Sequence, residues 1–115
     1  MEHAHEILKE LGAQGRHLRE SIPEVYSGFA ALDKAALAGG ALSARHKQLV
    51  ALAIAVTREC DGCIASHARG AATAGASRQE VAEALGVAIL MNGGPGTVWA
   101  PRAMAAFEEY AAAAG

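Results

Sequence analysis

The two cysteines of the chain, Cys60 and Cys63, stand three residues apart in "ECDGCIASHARG" (59–70), and His67 follows the second by four. Two thiols and an imidazole at that spacing can do redox chemistry. If a helix begins at Cys60, the three side chains take positions i, i+3 and i+7 and share one face. The thiols are then close enough for a disulfide, and the free N–H groups and dipole of the helix N-terminus favour their thiolate forms. Cys63 is the better placed nucleophile. His67, one turn on, can take its proton directly or through a water, and Cys60 can attack a sulfenic acid formed on Cys63. Two rival readings use the same residues. The cysteines can be small buried apolar groups beside an ordinary surface histidine. Alternatively, Cys60, Cys63 and His67 can hold zinc, with His46, Asp61 or water as the fourth ligand. A structural zinc knuckle usually has a second cysteine pair and a thioredoxin-like centre a βαβ pattern, and the chain has neither. We expect no metal and no cofactor.

These side chains need a helical scaffold. Of the 115 residues 52% are apolar but only 4% aromatic, so alanine, leucine and valine dominate, a composition for closely packed helices. The expectation is a single all-α domain over residues 1–115, a bundle of about six helices. Ile7, Leu8, Leu11 and Leu18 mark a surface helix over roughly 2–20. Pro23, with Ser21 as a possible cap, opens a second, whose Val25, Phe29, Leu32, Ala36 and Leu37 recur at three-to-four spacing until Gly39 and Gly40. Ser43 caps a third, 44–58, apolar on nearly every side, as befits a helix enclosed by neighbours. The fourth runs from Cys60 to about Ala74 and stops at Gly75. "SRQE" (77–80) is a capping box that opens a fifth over 78–91, with Val81, Ala82, Leu85, Ala88, Ile89 and Met91 on its apolar side. "NGGPG" (92–96) breaks the pattern and lets two backbones approach. A last helix over about 97–113 turns Val98, Met104 and Phe107 inward, with Pro101 kinking it or lying in its first turn.

Charge and length exclude several function classes. The net charge is −2 with both signs interspersed, so no basic footprint for nucleic acid or anionic lipid exists. The N-terminus lacks the pattern of a signal peptide, and the run "LVALAIAV" (49–56) is far too short to span a bilayer. A cytoplasmic protein is expected, and there a cysteine pair is more often catalytic, redox-active or metal-binding than a permanent cross-link. A chain this small can need a partner copy to bury its core. His3, His5 and His17 read as surface bystanders, and Tyr26 and Trp99 as core or interface anchors.

Residues 48–96, "QLVALAIAVTRECDGCIASHARGAATAGASRQEVAEALGVAILMNGGPG", closely resemble the core of the AhpD-like alkylhydroperoxidases of the carboxymuconolactone decarboxylase superfamily. The CxxCxxxH motif, the "AGAS" turn and the "GGP" break carry the resemblance. It implies an all-helical homo-oligomer, a hexamer or alternatively a trimer, that reduces hydroperoxides. It also implies roles: Cys63 as peroxidatic thiol, Cys60 as resolving thiol, His67 in a proton relay, and a dithiol carrier such as a dihydrolipoyl protein as reductant. The family's relay usually includes a glutamate where this chain has Gln48. Glutamine can orient a histidine through hydrogen bonds but takes up no proton at neutral pH. Glu59 is a candidate substitute. The resemblance leaves two alternatives open: a lactone-acid decarboxylase, which needs no cysteine pair, and a non-catalytic oligomer whose thiols switch assembly.

Overall fold

A computed structural model describes residues 3–114 and contains six helices: α1 (Ala4–Ser21), α2 (Pro23–Leu37), α3 (Ala44–Thr57), α4 (Asp61–Thr73), α5 (Arg78–Asn92) and α6 (Gly94–Ala114). No strand occurs among the described residues. The fold is all-α. Helix α4 lies between α1, α3 and α6, and α5 closes the bundle against α3 and α6.

Composition explains this packing. The largest fully buried side chains are Leu52, Ile64, Val56 and Val81, each worth about 1.5–3 kcal/mol relative to exposure. Around them the core is mainly alanine: Ala65, Ala68 and Ala71 of α4 share one buried cluster with Ala100, Ala103, Ala106 and Phe107 of α6, the helix α4 packs against. Small residues bring two helix axes close. Burial of Ile64, Ala65, Ala68 and Ala71 fixes the rotation of α4 and leaves residues 63, 67 and 70 on another side.

Local signals set the helix boundaries. Ser43 Oγ accepts the His46 N–H at 3.1 Å. Ser77 Oγ accepts the Glu80 N–H at 3.0 Å while Glu80 Oε1 accepts the Ser77 N–H at 2.8 Å, which completes the capping box and holds the Glu80 carboxyl below its ordinary range. Gly75, at φ +82°, follows α4 in a conformation that favours glycine. The "NGGPG" stretch does bring two backbones together, because a Cβ on Gly96 would lie 2.9 Å from Ile89 Cα.

Several expectations need correction. Helix α6 begins at Gly94, so "GPG" (94–96) opens its first turn and Pro101 lies inside it. Ser21 does not cap α2: its hydroxyl donates to His17 O at 3.3 Å, and Ile22 occupies the cap position without a side-chain bond. Met91 and Val98 face outward. Nor is α3 enclosed on every side, since Val50 and Ile54 are exposed. Helix α2 buries no residue at all, with Val25, Phe29 and Leu32 at 63%, 67% and 62% exposure. Its periodicity correctly marked a helix, but within one chain its apolar face has no cover.

Candidate active site

Two helix termini and one helix interior build the site. Glu59, at φ +50°, turns the chain out of α3, and Cys60 becomes the N-cap of α4. There the sulfur does what a cap oxygen usually does: Cys60 Sγ accepts the Cys63 N–H at 3.2 Å. The two cysteines form a disulfide across this first turn, with α-carbons 5.2 Å apart, well within the span a disulfide bridges. Cys63 is exposed and Cys60 half-buried. Leu11 of α1 covers the backbone between them, where a Cβ on Gly62 would fall 2.6 Å from Leu11 Cδ1.

One turn beyond Cys63, His67 is half-buried and meets α3. Its Nδ1 lies 2.9 Å from Gln48 Oε1. A carboxamide oxygen only accepts, so Nδ1–H donates to it, and the neutral ring keeps its lone pair on Nε2. Burial pushes the His67 pKa below its ordinary value near 6.5, and the charge of Asp33 partly opposes that shift. The shift favours the neutral ring, which can accept a proton at Nε2.

Sequence reasoning placed Gln48 beside His67, and the two do meet. It missed the reason they can. A Cβ on Gly70 would lie 2.5 Å from Gln48 Cδ and 2.7 Å from its Nε2, so the carboxamide occupies space that any other residue at 70 would fill. The signal was present as a glycine in the interior of a predicted helix, where glycine is otherwise unfavourable. Sequence reasoning also missed Asp33. That residue lies in α2, remote in sequence from the cysteines, yet it lines a pocket of about 340 Å³ with Gln48, His67 and Arg69. Neither cysteine lines this pocket, whereas His67 does. Glu59 is exposed and does not line this pocket. His46 turns away from His67, with Nδ1 2.8 Å from Ser43 Oγ. No cluster of three metal-binding side chains occurs among the described residues.

A larger groove of about 610 Å³ between α3 and α5 is lined mainly by Leu49, Val50, Ala53, Ile54, Ala84 and Val87, together with His46, Glu80 and Glu83, and holds no thiol.

The carboxymuconolactone decarboxylase family model matches residues 23–109, from the start of α2 almost to the end of α6. The chain belongs to the carboxymuconolactone decarboxylase family. A carboxymuconolactone decarboxylase family protein from Legionella pneumophila, solved in its apo form, superposes with a TM-score of 0.91 at 38% identity, covering 96% of this chain and 99% of the other. An uncharacterized protein of Cupriavidus necator is 39% identical over 103 residues, 90% of this chain and 88% of its own. An uncharacterized protein of the cox locus of Paracoccus denitrificans is 41% identical over 81 residues, 70% of this chain and 73% of its own. This family includes both decarboxylases and thiol peroxidases. Among the described residues no helix is long and apolar enough to cross a membrane.

Proposed function

We propose that the protein is a thiol-dependent hydroperoxide reductase of the AhpD-like type. The observation that carries this reading is the Cys60–Cys63 disulfide at the N-terminus of α4, one turn before His67, whose Nδ1 is held by Gln48. A lactone-acid decarboxylase has no need of such a pair.

The reductive half-cycle follows from exposure and capping. An external dithiol, such as a dihydrolipoyl carrier, attacks the exposed Cys63 sulfur. The S–S bond breaks and Cys60 leaves as a thiolate, held by the Cys63 N–H and the helix dipole. The carrier's second thiol then displaces Cys63 and closes the carrier's own disulfide. In the oxidative half-cycle His67 Nε2 takes the Cys63 proton. The thiolate attacks the outer oxygen of a hydroperoxide, the O–O bond breaks, and the alcohol departs with the proton returned by His67. Cys60 attacks the resulting sulfenic acid, re-forming the disulfide and releasing water. One hydroperoxide is reduced for each dithiol oxidised. Gln48 orients His67 throughout. The cycle suits the cytoplasm, where dithiols are kept reduced.

The protein acts as a homo-oligomer in this reading, a hexamer or alternatively a trimer. The uncovered apolar face of α2 and the exposed Val87, Leu90 and Met91 of α5 support assembly, because monomers rarely expose so much contiguous apolar surface.

The test is hydroperoxide-dependent oxidation of a dihydrolipoyl substrate by the parent protein, Cys63→Ser and Cys60→Ser. Activity in the parent and none in Cys63→Ser is expected. Cys60→Ser should consume about one equivalent of peroxide and stall as the sulfenic acid. Unchanged peroxide consumption in Cys63→Ser would reject the reading, and no consumption by the parent would favour a thiol switch.

A further inference from the structure

The peroxidase reading leaves a charge problem at His67. When Nε2 takes the Cys63 proton the ring becomes an imidazolium, half-buried, with Nδ1–H bonded to a neutral carboxamide. A neutral acceptor orients that cation but offers it no counter-charge. Position 48 does not supply one. The charged groups around the pocket are few: α2 contributes Asp33, α4 contributes Arg69, and α3 lines it with the uncharged Ala44 and Gln48. Asp33 is therefore the one carboxylate lining the pocket that His67 shares.

Its placement rests on the end of α2. Lys47 Nζ donates to Ala38 O at 2.6 Å and ties the residue after α2 to α3, one residue before Gln48. Leu37, one turn after Asp33, is the most buried apolar residue of the helix's last turn and lines the same pocket. These contacts tie the C-terminal end of α2 to α3 beside the pocket that His67 lines, although the rest of the helix buries nothing.

We propose that Asp33 supplies from α2 the carboxylate that position 48 lacks, acting as a positioning residue that stabilises the His67 imidazolium while the Cys63 proton is held there. This inference rests on the peroxidase reading for its catalytic consequence but not for the pairing itself. The proton still moves from Cys63 sulfur to His67 Nε2 and on to the departing alkoxide. Asp33 receives no proton and touches no reacting atom. The direction of the Asp33 effect on His67, raising its pKa against burial, agrees with this role.

The experiment is a titration of the His67 ring by NMR in the full-length protein, paired with peroxide turnover against pH. Asp33→Asn is expected to move the His67 midpoint to lower pH and to cut plateau turnover about three- to tenfold. Asp33→Glu, which keeps the charge, should titrate near the parent, and Glu59→Gln should leave His67 unmoved. Adding Gln48→Glu to Asp33→Asn should bring back the midpoint and the rate, with a larger gain than Gln48→Glu gives in the parent. A His67 midpoint unmoved by Asp33→Asn overturns the pairing, and a moved midpoint with unchanged turnover overturns the catalytic role. If the midpoint moves as expected while no variant, nor the parent, consumes peroxide, the pairing stands and the peroxidase reading falls.

Discussion

Gly70→Ala sets stability and site geometry against each other. The added Cβ would come 2.5 Å from Gln48 Cδ and 2.7 Å from Nε2, so one of the two groups must move. The Gln48 carboxamide is the far end of a flexible side chain, whereas residue 70 is fixed by α4 packing, and the carboxamide should swing away. That breaks its 2.9 Å bond to His67 Nδ1, a part-buried hydrogen bond worth about 0.5–1.5 kcal/mol. Replacing glycine by alanine inside a helix meanwhile gains about 1 kcal/mol. The two effects nearly cancel, so urea denaturation should find the variant within about 1 kcal/mol of the parent. The site should change nonetheless. Without its acceptor the His67 Nδ1–H is no longer favoured, and ring nitrogen shifts should report a mixture of tautomers. If the lost orientation carries over fully to the barrier, turnover falls about 2- to 13-fold. In a Gln48→Ala background, where the overlap is gone, Gly70→Ala should raise stability and leave His67 unaffected. A loss above about 2 kcal/mol in Gly70→Ala would refute the reasoning, because Gln48 would then be locked in place. So would an unaltered His67 tautomer.

Four further outcomes are expected. Because burial holds the His67 pKa below its ordinary value near 6.5, the unfolded chain binds that proton more readily. The His67 contribution to stability is thus complete above about pH 6.5 and declines as pH falls through the window down to the lowered pKa; His67→Gln should flatten that part of a stability–pH curve. Ser77→Ala removes the acceptor of the Glu80 N–H and should cost about 0.5–2 kcal/mol in urea denaturation, leaving the Cys60–Cys63 thiol titration unaltered. Leu52→Ala, at a fully buried position, should cost about 2–5 kcal/mol by the same measurement. Phe29→Glu places a charge on the uncovered face of α2 and should lower the mass measured by light scattering with little effect on helicity; an unchanged mass would exclude that face from the assembly.

Much of this molecule was settled by local patterns. The caps at Ser43 and Ser77, the stop at Gly75 and the spacing of Cys60, Cys63 and His67 depend on residues within a turn or two of each other, so reading along the chain suffices to place them. The pairing of Gln48 with His67 was also legible, though only through the family resemblance. Tertiary structure alone decided which apolar residues are inside. Val25, Phe29 and Leu32 have the spacing of a buried stripe but lie on a helix with no neighbour over that face, and periodicity does not distinguish a core from an uncovered surface. It alone also brought Asp33 to the His67 pocket and made Gly70 a condition for the Gln48 contact, since both depend on how α2, α3 and α4 pack. The physical reason is one of range. Capping and thiol spacing are short-range geometry, whereas a counter-charge and a missing Cβ acquire meaning only when helices distant in sequence are set side by side.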